Sequence, residues 1–187
     1  MQEPGHGWHP VGLGGAATNT ESALVEAVRA LRMGHDGGMR IREADASDCA
    51  ELTRLVRTSA SYQGEYHVMV ADMTITAEQV ARDDMLVAEA EGRIIGFCSL
   101  TTSGGEPELD YIFVDDDVQR SGVGQALWTA VVARARARGF AAMKIVSHPP
   151  AEAFYRRMGA RTVGLVEPSG RVTWARPLMT ISLDHRD

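Results

Sequence analysis

From Met39 onward the apolar residues follow two periods, and each switch between them marks an element boundary. Met39 to Ala44 alternates Met, Ile and Ala with Arg and Glu, the pattern of a half-buried strand, and Ser47 to Arg57 then sets Leu52, Leu55 and Val56 on one helical face. Thr76, Ala77, Glu78 and Gln79 fit a capping box, so a second helix starts there, continues through Val80 and ends near Asp84. Met85 to Ala90 and Arg93 to Thr101 are apolar strands joined by Glu91-Gly92, a two-residue hairpin signal. Ser103-Gly104-Gly105 and Pro107 break the pattern before the strand Glu108 to Val114, which runs into the acidic turn Asp115-Asp116-Asp117.

After that turn the period becomes helical. Val123, Leu127, Ala130, Val131 and Ala133/Arg134 trace a stripe through Arg138, with Gly139 as the stop, which predicts the longest helix of the chain. Ala141 to Ser147 is a strand, Pro149-Pro150 opens a short helix over Ala151 to Met158 that Gly159 ends, and Arg161 to Val166 and Leu178 to Leu183 are the last strands, joined through Pro168, Ser169 and Gly170. The order predicts an α/β (α+β) fold: a mixed sheet of about seven strands flanked by about four helices. The long helix makes Glu108 to Val114 and Ala141 to Ser147 parallel neighbours.

Residues 1–38 have another character. Glycines and prolines crowd both ends, which is linker composition, although Thr20 to Arg32 carries Ala23, Leu24, Ala27, Val28 and Leu31 at helical spacing. Gly12 to Ala17 fits the dinucleotide pattern G-x-G-x-x-A, but no strand precedes it, and a flexible leader is the better reading. The expected organisation is an extension over 1–38 and one domain over 39–187, in line with 187 residues and 44% hydrophobic content. Acidic residues outnumber basic ones 25 to 19 for a net charge of -6, which disfavours nucleic acid and anionic membranes and mildly favours a cationic substrate. Cys49 and Cys98 stand apart from any CxxC or Cys/His cluster, so two buried thiols, no metal and a reducing compartment are expected. Without a long apolar run or a signal-peptide layout, the expected location is cytoplasmic.

The informative segment is Gln119-Arg120-Ser121-Gly122-Val123-Gly124, at the junction of strand and long helix. A helix start offers unpaired N–H groups and a positive dipole end, and glycines let an anion approach that backbone. The alternative is a glycine-rich turn that only starts a helix. No Gly-Lys-Ser/Thr follows, which excludes a Walker loop, and Leu127 stands where a Rossmann loop needs a small residue.

These residues resemble the Q/R-x-x-G-x-G/A signature of the GNAT family, the Gcn5-related N-acetyltransferases. The resemblance covers about Met39 to Leu183 and includes the strand ELDYIFV and the segment AEAFYRRMGA (Ala151 to Ala160), similar to the family's A-x-x-F/L-Y-x-x-x-G-F/A motif. It implies transfer of an acetyl group from acetyl-CoA to a primary amine of a small molecule or protein, with no metal, and a family in which homodimers are common. It further implies that backbone N–H groups of Arg120, Ser121, Gly122, Val123, Gly124 and Gln125, with Gln119 heading the loop, hold the pyrophosphate. The pantetheine arm would pair along Ile112, Phe113 and Val114. Many relatives carry an Asn before the Ala of the second motif, whereas this chain reads Ser147-His148-Pro149-Pro150 and offers Ser147 beside the arm. A non-catalytic acyl-CoA-binding module on the same fold is the rival reading.

Acetyl transfer needs a neutral amine. A lysine-like amine with pKa near 10.4 is neutral in about one molecule in 2,500 at pH 7, so a base or desolvation must supply roughly 4 to 5 kcal/mol. Glu108 and Asp110, two apart and so on one face of a regular strand, are the candidate bases, against a solvated Glu108 at a strand start. The next strand carries Met143 and Lys144, where some relatives have an acid. Tyr155 occupies the family's general-acid position, where it would also touch the cofactor; the alternative is a Tyr packed beside Phe154 and Met158. An N–H of Phe113 or Val114 would stabilise the oxyanion. Tyr62, Glu65 and Tyr66 lie where the family often builds its acceptor wall, exposed loop tyrosines being the plainer account, and Trp174 serves the same pocket or an interface. His67 and His148 lack metal-ligand spacing, and His148 reads as a loop histidine. Arg134, Arg136 and Arg138 read as a solvated face.

Overall fold

A computed structural model describes residues 38–184. The extension before them, including the helix expected over Thr20 to Arg32, lies outside the described residues. Seven strands form one sheet: β1 (Arg40–Glu43), β2 (Asp84–Ala90), β3 (Arg93–Thr101), β4 (Glu108–Val114), β5 (Ala142–Val146), β6 (Arg161–Val166) and β7 (Arg176–Ser182), in the order β1-β2-β3-β4-β5-β7-β6. All neighbours are antiparallel except β4 and β5. Four α-helices accompany them among the described residues: α1 (Cys49–Thr58), α2 (Ala77–Arg82), α3 (Val123–Ala137) and α4 (Glu152–Arg157).

Local signals account for most of these boundaries. Glu91 and Gly92 both take positive φ, 51° and 73°, the geometry that closes a tight hairpin between β2 and β3. At α2 the Gln79 N–H donates to Thr76 Oγ1 and the Thr76 N–H to Gln79 Oε1, both at 3.2 Å, so the capping box forms in full. On α3 the buried residues are Val123, Leu127, Trp128, Val131, Val132 and Ala135. The expected stripe therefore holds to Val131, but Ala135 replaces Ala133 on the buried face because 3.6-residue spacing carries it there. Strand β7 begins at Arg176, two residues before its expected start, since Pro177 needs no donor and accepts from the Ser147 N–H at 2.8 Å. Cys98 is buried as expected, whereas Cys49 at the start of α1 is only half-buried.

Two apolar clusters cover the two faces of the sheet. Leu109, Met143, Ile145 and Met179 meet Leu127 and Val131 of α3 and Tyr155 of α4; Met85, Val87, Phe97 and Phe113 meet Leu52, Leu55 and Val56 of α1 together with Val70 and Ile75. Strand β4 contributes to both through a bulge: Leu100 pairs with Leu109 and Ser99 with Tyr111, which leaves Asp110 as the extra residue. Leu109, Ile112 and Val114 then belong to the α3 cluster, and Tyr111 and Phe113 to the α1 cluster. Strands β4 and β5 pair only at Glu108 with Lys144 and Leu109 with Ile145. Beyond that rung they part.

Candidate active site: a donor cleft and an aromatic wall

The parting of β4 and β5 opens a cleft of about 410 Å³. Ile112 and Val114 form one wall; Gln119, Arg120, Gly122, Gly124 and Gln125 form its floor at the start of α3; Phe154, Arg157 and Met158 of the α4 segment close it with Ser61, Pro150 and Ala151. The floor is held by the acidic turn. Asp115 accepts from Arg54 Nη2 of α1 at 2.8 Å, and Asp116 accepts from the Ala60 N–H at 2.8 Å and from Gln119 Nε2 at 2.7 Å. Gln119 thus spends its side chain on the loop. Gly122 caps α3 with φ 105°, a conformation that side chains rarely adopt, and no side chain caps the helix. The first-turn amides, Val123 to Gln125, keep their donors for an incoming anion. A Cβ at Gly124 would lie 3.5 Å from Phe154 and 3.7 Å from Val114, inside the cleft. Its absence keeps the floor open.

Of the residues assigned to the donor from sequence, Ile112, Val114, Gln119, Arg120, Gly122, Gly124 and Gln125 line this cleft. Phe113 and Val123 are buried in the core, Ser121 donates its hydroxyl to the Val118 carbonyl, and buried Ser147 donates to the His148 carbonyl at 2.8 Å. Sequence reasoning missed the α4 side. Ala151, Phe154 and Met158 recur three and four residues apart, a single helical face, and that spacing was available as a signal. Arg157 on the same side is exposed and makes no side-chain bond among the described residues.

Tyr155 is 6% exposed, with its ring 5.9 Å from Trp128 and 5.3 Å from Phe154. Burial, then the neighbouring Tyr62 and Cys98, raise its pKa well above the usual phenol value. Its proton is therefore held firmly. Glu108 forms an ion pair with Lys144 at 2.7 Å, across the one parallel rung. The bulge removes the regular alternation on which a shared face for Glu108 and Asp110 was expected. Asp110 is exposed on the bulge, and partial burial of its carboxyl, then the charges of Glu108 and Asp83, raise its pKa.

Next to the cleft, residues 60–62 and 64–69 form 3-10 turns and not an open loop. Tyr62 stacks on His148 at 4.2 Å and leans on Phe113 at 5.4 Å; Tyr66 stands edge-on to His148 at 4.5 Å and to Trp174 at 4.9 Å. The expectation of a plain loop histidine is corrected here: His148 is 4% exposed and bonds through Nε2 to the Ser61 carbonyl at 2.8 Å. A carbonyl only accepts, so Nε2 carries the proton, and burial lowers the imidazole pKa and keeps the ring neutral. Burial likewise pushes Tyr62 up to about 12. An ion pair at 2.7 Å between Arg171 and Asp72 ties the two loops of this wall together. Glu65 and His67 are exposed beside it.

A mixed seven-stranded sheet, split between its fourth and fifth strands over a glycine-marked helix start, is the acyl-CoA N-acyltransferase architecture. The chain belongs to the acetyltransferase (GNAT) family, whose model matches residues 46–160. Among solved structures it is similar to the ribosomal-protein-S18-alanine N-acetyltransferase of Escherichia coli, at 17% identity and a TM-score of 0.59, over 80% of this chain and 96% of that one. It is similar to yncA of Salmonella typhimurium, solved with its cofactor acetyl-CoA, at 22% identity and a TM-score of 0.61, over 80% and 96%. The paia N-acetyltransferase of Thermoplasma acidophilum, in complex with coenzyme A, matches at 16% identity and a TM-score of 0.58, over 78% and 99%. No curated protein matches the sequence. Among the described residues no helix is long and apolar enough to cross a membrane, and no group of His, Cys, Asp or Glu is arranged to hold a metal ion.

Proposed function

We propose that this protein is an N-acetyltransferase that moves an acetyl group from acetyl-CoA to a primary amine. The observation that carries this reading is the cleft itself: an uncapped helix start with Gly122 at positive φ and Gly124 facing Phe154 and Val114, at the point where two strands part. The first-turn amides of α3 suit a pyrophosphate, and the free edge of β4 at Ile112 to Val114 suits the amides of a pantetheine arm. Arg157, a cation on the opposite wall, suits a further phosphate.

In the reaction, the neutral amine nitrogen attacks the acetyl carbonyl, a C–N bond forms, the C–S bond breaks, the amine proton goes to a base and the thiolate leaves. Asp110 is the base we favour, because its raised pKa strengthens its hold on a proton. Glu108, committed to Lys144, serves better to orient that site. Tyr155 keeps its proton and donates a hydrogen bond to the departing sulfur, which lowers the barrier without full transfer. The N–H of Val114, on the open edge of β4, meets the oxyanion, since the Asp115 N–H bond to the Ile95 carbonyl and strand alternation turn the Phe113 N–H toward β3. The aromatic wall of Tyr62, Tyr66 and Trp174 takes the acceptor.

We further assign catalysis to residues 39–187 and regard 1–38 as an extension dispensable for it, in a protein of the reducing cytoplasm with unpaired Cys49 and Cys98. The test is release of CoA from acetyl-CoA across a panel of amines. Turnover supports the transferase; tight acetyl-CoA binding without transfer to any amine would establish the non-catalytic module instead.

A further inference from the structure

Three buried nitrogen atoms of the aromatic wall have no hydrogen-bond partner among the described residues: His148 Nδ1, Trp174 Nε1 and Arg176 Nε. They are neighbours. Tyr66 touches both His148 and Trp174, Trp174 and Arg176 are two residues apart entering β7, and the β5–β7 register places His148 opposite Arg176. That register follows from Val146 paired with Leu178 and from the Ser147 N–H donating to the Pro177 carbonyl at 2.8 Å. A buried donor left unpaired costs about 1 to 3 kcal/mol, and a buried indole N–H normally finds an acceptor.

Arg176 sharpens the point. The other half-buried arginines, Arg42, Arg54, Arg93 and Arg134, each have a carboxylate within 4.0 Å. Arg176, equally half-buried, has none among the described residues, although the chain carries more acidic than basic residues. The cluster also borders the reaction centre: Ser61, which accepts from His148, lines the cleft, and Tyr62 bridges His148 to Phe113 of β4.

The three atoms have definite polarity. Trp174 Nε1 and Arg176 Nε are donors, while His148, with Nε2–H committed to the Ser61 carbonyl, presents Nδ1 as an acceptor. Two donors beside one acceptor complement an anionic oxygen pair next to an amine. We infer that the acceptor is an amine bearing a carboxylate close by, as in an α-amino acid, with the carboxylate on Arg176 and Trp174 and an amine N–H on His148. This rests on the N-acetyltransferase reading and narrows its acceptor.

The experiment measures kcat/KM by CoA release from saturating acetyl-CoA, for α-amino acids and for their α-amides, which keep the amine and lose the charge. Wild-type protein is expected to prefer the acids by about 30-fold or more, as expected for a site built around a charged, hydrogen-bonded group. Arg176→Met is expected to erase that preference through the KM of the acids, with the acetyl-CoA KM unchanged. Trp174→Phe, which keeps an aromatic ring and removes the N–H, is expected to reduce the preference by about 3- to 10-fold, and it decides the matter if the arginine variant does not fold. Equal or better use of the amides by wild-type protein overturns the inference while the transferase reading stands, as does a preference that survives Arg176→Met. Binding of acetyl-CoA without transfer to any amine overturns the transferase reading and this inference together.

Discussion

The donor cleft and the aromatic wall lie side by side and are made of different material. The cleft is mainly backbone: a helix start, a strand edge and two glycines, with apolar side chains as its lid. The wall is side chains drawn from three distant segments, at residues 61–66, at His148 and at 174–176. A backbone site needs particular residues only where a side chain would intrude, so one short motif can specify it. A side-chain site can be rebuilt with each change of ligand, and no fixed motif marks it.

The largest expected effect is on the backbone side. Gly124→Leu puts a side chain between Phe154 and Val114, and acetyl-CoA affinity should fall by about 100-fold or more while the melting temperature holds or rises. The stability side of that expectation rests on helix propensity, since Gly within a helix costs about 1 kcal/mol against better formers. Calorimetric titration with CoA and a thermal melt check the two halves; unchanged affinity in a folded variant would remove the basis for the cleft assignment. The chemical step should respond next. Tyr155→Phe is expected to lower kcat by about 10- to 100-fold with CoA affinity kept. Asp110→Asn should cost a similar factor and also change the pH profile. A raised pKa means that Asp110 loses its ability to accept a proton as pH falls through that value, so the acid limb of kcat/KM belongs to it. In the Asn variant that limb should vanish, and the rate should climb with pH as more amine becomes neutral. Glu108→Gln is expected to change KM for the acceptor more than kcat, and the opposite split would make Glu108 the base.

A stability difference separates the two regions further. His148 is buried and neutral, with a pKa below its ordinary value of 6.5. The unfolded chain therefore takes up a proton at a pH where the folded one does not, and folding stability declines as pH drops below about 6.5 toward the lowered pKa. His148→Asn should flatten that part of the melting profile between pH 7 and 5. Acceptor KM should rise only at lower pH, where the lowered pKa of the folded protein is reached and the charged ring no longer holds Tyr62 and Tyr66 in place, while CoA affinity changes less.

The legibility of the sequence follows the same division. All seven strands and all four α-helices of the described region are present in the sequence pattern, because most carry buried apolar residues and local start or stop signals mark their ends. The glycine loop was legible for the same local reason. What period two does not reveal is the bulge at Asp110, a matter of pairing between Leu100 and Tyr111 that depends on the partner strand. The pairing of Glu108 with Lys144 needed the parallel register, and the burial of His148 needed Tyr62 and Tyr66 folded onto it from more than eighty residues away. The half-buried, unpaired Arg176 has no sequence signature at all, since an arginine's partner is a three-dimensional fact.

The smallest expected effect is the one that tests whether the two regions act independently. Arg157 is exposed on the donor side and Arg176 is half-buried on the acceptor side. An exposed cation facing a phosphate is screened by water and salt, so Arg157→Ala should raise the acetyl-CoA KM by only about 3- to 5-fold at low ionic strength, and the difference should fade at about 0.5 M salt as the Debye length shortens. The acceptor KM should not move. Arg176→Met should do the reverse, with an effect that survives salt, because its site is shielded from solvent. Steady-state kinetics with each substrate varied in turn would show two separate responses. If Arg157→Ala shifted the acceptor KM as strongly as the donor KM, the cleft and the wall would form one coupled site, and their division into a backbone half and a side-chain half would fail.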